Sequence, residues 1–268
     1  MTGREGIDLK FERARKLLLE LNEEIRAHLE GGAFTAENVD RADGGVDTIV
    51  HIVKPAPASW SALMGDAIHN TRTALDHLAF ALVSAAGGDT DNAYFPITDE
   101  EGGWGRRARA ALPGVSPEIR AQVRALKPWR NGHPSLYLLH QLDIGDKHHL
   151  IIATAGSSPG VLTDVIAPLR ASLEQRTGVK VPPQWIHLNS ASSGTPIHEG
   201  DVVMSYPPDV RNQPEIIDMH MPTVAIVFGT DELVAGEHII PVLGGILDST
   251  QVAVEPLVQL LDTPSKSD

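Results

Sequence analysis

The chain is predicted to adopt an α+β fold: a helical, bundle-like N-terminal part, then a mainly antiparallel β part, then a C-terminal helix. Three observations predict it. Apolar residues in the first 150 positions recur mostly at helical spacing. After Ala155 the texture changes, with frequent Pro and Gly between short β-like runs. A last periodic apolar stretch then returns near the C-terminus. Helices followed by a run of strands read as α+β.

Leu9, Phe11, Ala14, Leu17, Leu18, Leu21 and Ile25 lie on one helical stripe from Ile7 to about Leu29, which Gly31 and Gly32 close as C-terminal caps. The β-branched, roughly alternating Asp47–Lys54 (DTIVHIVK) reads as a strand stopped by Pro55 and Pro57. Ser59 or Ser61 caps a helix from Ser61 to about Ala85, which ends at Gly87-Gly88. Ala93–Ile97 is extended because Phe95 precedes a proline. Ser116 followed by Pro117 is an N-cap and first helical position, giving a short helix over Pro117–Leu126. Leu136 to about Leu150 reads as another helix, although Gly145 opposes it. The later β-like runs are Lys180–Val181, Trp185–Leu188, Val202–Tyr206, Ile216–Met219 and Val224–Phe228, and the last helix covers about Ile246 to Leu261. Two parts are expected: a mainly helical domain over 1–156 with one strand at 47–54, and a β-rich part over 157–268 whose C-terminal helix packs back on the first. The strand at 47–54 is expected to join the later sheet.

Composition excludes several classes. The sequence is 42% hydrophobic and 21% charged, ordinary for a soluble globular protein. It holds no cysteine, so thiolate metal sites, disulfides and thiol nucleophiles are ruled out. No apolar run approaches the roughly 20 residues that span a bilayer, so no membrane partner is expected. The charged N-terminal stretch lacks an apolar signal core, and a cytoplasmic location is expected. A net charge of −13 argues against wholesale coating of nucleic acid. Residues 104–147 reverse the sign locally, with 8 basic against 3 acidic side chains. That strip either guides one anionic ligand or pairs with the protein's own acidic flanks.

The helix at 61–85 carries the strongest chemical signal. Asp66, His69, Arg72, Thr73, Asp76 and His77 fall within roughly 140° of arc, opposite an apolar side of Leu, Ile, Met and Ala. This face has no Lys or Glu, the usual coat of a solvated helix. Its groups bond with direction, so it meets a ligand or a partner, or forms a buried structural network. On the helix at 136–150, His140, Asp143 and Lys147 share a face, flanked by Asp146 and His148. If the two helices pack antiparallel, Arg72 is expected to pair with Asp143 or Asp146, and Lys147 with Asp76.

Arg72–His77 (RTALDH) matches the R-x4–6-H signature of the HEPN nucleotide-binding and ribonuclease proteins. The chain also resembles a set of uncharacterised bacterial proteins that combine an RxALDH helix, an FPI segment and a DKH helix, here Arg72–His77, Phe95–Ile97 and Asp146–His148. The resemblance covers about 85 residues and excludes the β-rich part. It implies metal-independent action on RNA or a nucleotide at a homodimer cleft, with Arg72 stabilising phosphorane charge and His77 as general base or acid. Asp76 joins them as the candidate catalytic set. His69, Thr73, Asp143, Asp146, Lys147 and His148 form the candidate substrate-binding set, with no cofactor expected.

Two alternatives stay open. One is a non-catalytic binding or structural protein whose polar helix pair fixes packing. The other is a divalent-metal hydrolase or oxygenase using His69, Asp76, His77, Asp143, Asp146 and His148. No P-loop, Rossmann glycine fingerprint or G-x-S-x-G elbow is present.

Overall fold

The structure is a computed structural model that describes residues 3–148, 153–157, 196–209, 224–229 and 234–262. The architecture is α+β, with six α-helices and two small antiparallel sheets among the described residues. The expected runs at 180–181, 185–188 and 216–219 lie outside them. The chain groups into two units, each discontinuous in sequence.

The first unit takes residues 1–22, 59–151 and 240–268. It contains the first part of α1 (Gly3–Glu30), α2 (Ser59–Ala85), α3 (Glu101–Ala111), α4 (Pro117–Ala125), α5 (Pro134–His148) and nearly all of α6 (Ile239–Gln259). Of the α1 stripe read from sequence, Phe11, Ala14, Leu17, Leu18 and Leu21 are buried, whereas Leu9 is exposed. α1 runs antiparallel to α2: a Cβ on Gly3 would fall 2.7 Å from Ala81, and Lys10 Nζ donates to Asn70 Oδ1. It also runs antiparallel to α6, through Arg4 with Glu255 and Asp262 and Arg15 with Asp248. The core is closed by Met64, Leu75, Leu78 and Leu82 of α2, Leu136, Leu139 and Leu142 of α5, and Leu243, Leu247, Val254 and Leu257 of α6.

Two helices differ from the sequence reading. α3 is not anticipated there, because Gly102, Gly103 and Gly105 oppose a helix by nearly 1 kcal/mol each. Tertiary anchoring overrides that cost: Trp104, Ala108 and Ala111 are buried at helical spacing, and Trp104 Nε1 donates to Pro96 O at 3.1 Å. α6 starts seven residues earlier than Ile246. Pro241 falls in its first turn, where a missing N–H leaves no bond unmade, and buried Leu243 and Leu247 carry it across Gly244-Gly245. α4 is capped as expected, with Ile119 N donating to Ser116 Oγ and Pro117 at its start.

The second unit takes residues 23–58 and 152–239. β1 (Phe34–Asp40) and β2 (Val46–Ile52) form an antiparallel hairpin, and β2 pairs on its other edge with β4 (Val202–Tyr206). The strand read from sequence thus does join a later one. β3 (Ala153–Ser157) pairs with β5 (Val224–Phe228). Val50, Ala155, Ile197 and Val203 form a small core. β1 is absent from the sequence reading because FTAENVD is largely polar and exposed. Asp43-Gly44, where Gly44 has φ +88, is the turn signal that marks the hairpin. A division of the chain near residue 157 would separate β2 from its partner β4 and α6 from its partner α1. Hydrogen bonding and packing, not chain order, group these elements.

Candidate functional site

α2 and α5 of the first unit pack antiparallel along the polar stripes that the sequence marks. Three levels give the register. Asp146 lies against Gly65, where any side chain would collide with its carboxylate. One turn on, His69 Nδ1 lies 3.1 Å from Asp143 Oδ1. At the next level Arg72 and His140 sense each other's charge. Asp143 is 3% exposed, so this seam is interior on the α5 side.

Arg72 and Asp76 grip the backbone of one residue, Phe95, through both of its polar groups. Arg72 Nη2 donates to the Phe95 carbonyl at 2.9 Å, and Phe95 N donates to Asp76 Oδ1 at 2.8 Å. Arg72 Nη1 lies 3.0 Å from the same Oδ1, within ion-pair distance but not aligned for a hydrogen bond. Phe95 and Ile97 are buried, so the RTALDH and FPI segments meet through this grip. Burial lowers the proton affinity of Arg72, and Asp76 and Asp143 oppose that shift. An arginine keeps its charge throughout.

The grip corrects the expected pairing of Arg72: Asp143 adds favourable charge, but Arg72 ion-pairs with Asp76 and hydrogen-bonds a backbone carbonyl. Arg72 is 7% exposed, with its guanidinium committed. His77 is half-buried and makes no hydrogen bond among the described residues, and nothing joins it to Arg72. Lys147 and His148 end α5, and their side chains lie outside the described residues. Among the described residues no three His, Asp or Glu side chains are arranged to hold a metal ion. Asp76, one of the ligands the metal reading needs, faces Phe95 N and Arg72.

Thr73 Oγ1 lies 3.4 Å from His69 Nε2, which completes a carboxylate–imidazole–hydroxyl series with Asp143. The order of groups is that of a nucleophilic triad. Thr73, however, sits in the middle of α2, where backbone N–H groups bond the carbonyls four residues back and none is free for an oxyanion. The series suits holding the His69 ring in one orientation.

Beside the seam lies a cleft of about 780 Å³. The gripped segment supplies one wall with Tyr94 and Ile97–Glu100, α3 supplies Arg106 and Arg107, and α5 supplies His140, Gln141 and Ile144. Arg107 stands over the Tyr94 ring, 5.4 Å from its centre. Burial, reinforced by Arg72 and Arg107, pushes His140 down to about 4, so its ring is neutral at pH 7. Arg107 also lowers the proton affinity of Arg72. Arg106 and Arg107 thus bring two positive charges to a cleft that Asp99 and Glu100 also line. At the rim, Tyr137 donates to Asp99 Oδ1 at 2.9 Å and receives a bond from Arg130 Nε at 3.0 Å. Sequence reasoning marked the basic strip but not this cleft. Tyr94, Arg106 and Arg107 become neighbours of His140 only through the unanticipated α3 and the grip on Phe95.

No known protein family matches the chain, and no curated protein and no solved structure matches it significantly.

Proposed function

We propose that the chain is a nucleotide-binding protein that takes a phosphorylated ligand in the cleft between residues 94–100, α3 and α5. One observation carries this reading: Arg106 and Arg107 line the cleft together with His140, whose ring is kept neutral by burial first and by the nearby charges of Arg72 and Arg107 next. An anionic group entering there relieves the mutual repulsion of these cations as well as pairing with them. Tyr94 and Ile97 offer an apolar, partly aromatic wall for a base or sugar, and Asp99 and Glu100 offer acceptors for hydroxyl or amino donors. Arg72 and Asp76 act in this reading as positioning residues, since they fix the segment that carries Tyr94. The opposing feature is the overall charge of −13, which favours a compact ligand over a long polyanion.

One observation favours a second reading, metal-independent RNA cleavage. The His77 ring has no bond partner among the described residues, which leaves it available as a general base or acid. The committed guanidinium of Arg72 weighs against it. Wild type and His77→Ala incubated with total RNA in excess EDTA, with circular dichroism to confirm folding, test this reading. Cleavage by wild type alone supports it, and cleavage by neither sets it aside. The resemblance behind this reading implies a homodimer, which sedimentation measures directly.

A further inference from the structure

A second, smaller pocket of about 440 Å³ lies where the C-terminal end of α4 meets the 126–133 loop, with Glu101 on its edge. Its polar lining comprises Arg124, Lys127, Trp129 and Asn131, with one carboxylate, Glu101. Lys127 and Asn131 make no side-chain hydrogen bond or ion pair among the described residues. Trp129 is 7% exposed and stacks edge-on against Trp104 at 6.4 Å. The Trp104 indole has an acceptor in Pro96 O, whereas nothing among the described residues accepts from the Trp129 indole N–H. A buried indole normally finds a partner. The acceptor in this pocket, Glu101, is already engaged by Arg124 at 3.0 Å.

The backbone at Lys127 adds an independent observation. Lys127 has φ +52, the left-handed conformation, directly after the helix cap at Leu126. Glycine is the usual residue there because it avoids a Cβ penalty. The peptide is held by Lys127 N to Arg124 O at 2.9 Å, and by Trp129 N and His133 N to Lys127 O at 2.8 Å each. A charged side chain is therefore fixed in a costly conformation at the pocket wall. Its charge and that of Arg124 outweigh Glu101 and the partial negative end of α4.

We infer that this pocket is an oxyanion-binding site, separate from the cleft, that takes a small molecule through its carboxylate or phosphate group. Lys127 supplies the charge, while the Trp129 N–H and the Asn131 amide supply directed hydrogen bonds. The volume exceeds that of a bare oxyanion, so an organic group lies against the Trp129 edge and the two alanines of α4. Phenyl phosphate and benzoate are suitable probes, with benzyl alcohol as the neutral control of similar size. The readout is the indole 1H–15N cross-peak of Trp129, assigned by its loss in Trp129→Phe. A saturable shift with either anion and none with the alcohol is expected, and the tighter anion identifies the preferred head group. Lys127→Gly removes the charge while relieving the backbone, so it is expected to bind at least fivefold more weakly and to melt no lower than wild type. The proposal is overturned if neither anion gives a saturable shift, if the alcohol shifts the peak equally, or if Lys127→Gly binds as tightly as wild type.

Discussion

Arg72 and Asp76 stand one turn apart on α2, in the spacing of an ordinary helix-surface ion pair. An exposed pair of that kind contributes about 0.3–0.5 kcal/mol. Burial changes the balance here, because Arg72 is 7% exposed and both side chains also bond the Phe95 peptide. Arg72→Ala would strip the buried Phe95 carbonyl of its donor and the half-buried Asp76 of its ion-pair partner. It is expected to lower the unfolding free energy by about 1–3 kcal/mol, with the double Ala variant costing less than the sum of the singles. Urea denaturation of the four proteins checks this, and a wild-type midpoint for Arg72→Ala would rule the grip out. In sequence, the residue types showed that this face bonds with direction. They did not show to what, because the partner is a main-chain peptide 19 and 23 residues away, and backbone acceptors carry no sequence signal.

Elements of this chain are locked by close approach as well as by pairing. Gly65 lets α2 come near enough to α5 for the Asp146 carboxylate to lie over it. Gly→Ala inside a helix ordinarily stabilises by nearly 1 kcal/mol. At Gly65 the added methyl must displace the Asp146 carboxylate, so Gly65→Ala is expected to fall short of that gain in thermal melting, and adding Asp146→Ala to recover it. The full helix gain in the single variant, unchanged by Asp146→Ala, would contradict this packing. In the hairpin, His51 of β2 bridges Glu199, 2.7 Å from Nδ1, and Glu37 of β1, 3.4 Å from Nε2, while Ile52 N donates to Glu199 at 2.6 Å. The Glu199 hydrogen bond raises His51 above its usual 6.5, with Glu37 assisting. The His51 bond in turn holds Glu199 below its usual 4.5, aided by Ile52 N. A raised His adds stability that is full below its unfolded value and fades as pH climbs through the folded one. A lowered Glu adds stability that is full above its unfolded value and fades as pH falls. The clasp is therefore strongest between about pH 4.5 and 6.5. The melting-temperature difference between wild type and His51→Ala should peak in that window; a flat difference from pH 5 to 8 would argue against the clasp. Long periodic helices and the Ser116-Pro117 cap were legible from residue pattern. α3 and β1 were not, since glycine content masks the first and surface polarity the second, and tertiary contacts decide both.

At the scale of the whole molecule, chain order proved a poor guide to grouping, because β2 pairs with β4 across 150 residues and α6 packs against α1. Local periodicity reports what each element is and is silent on which distant element completes it. The polar seam of α2 and α5 was legible as a pair of complementary stripes. The cleft beside it was not, since it exists only once α3, the gripped segment and α5 converge. The basic strip within an acidic chain was the one visible trace of it. Among the described residues no helix is long and apolar enough to cross a membrane. The central claim is that this cleft binds a nucleotide through its arginines. Calorimetric titration of adenosine 5′-monophosphate into wild type and Arg107→Ala tests it most directly. Arg107 is exposed, so the variant should melt within a few degrees of wild type. The account predicts one saturable site in wild type and an affinity at least tenfold weaker in Arg107→Ala, about 1.4 kcal/mol. No binding by wild type, or equal affinity in the two proteins, would contradict it.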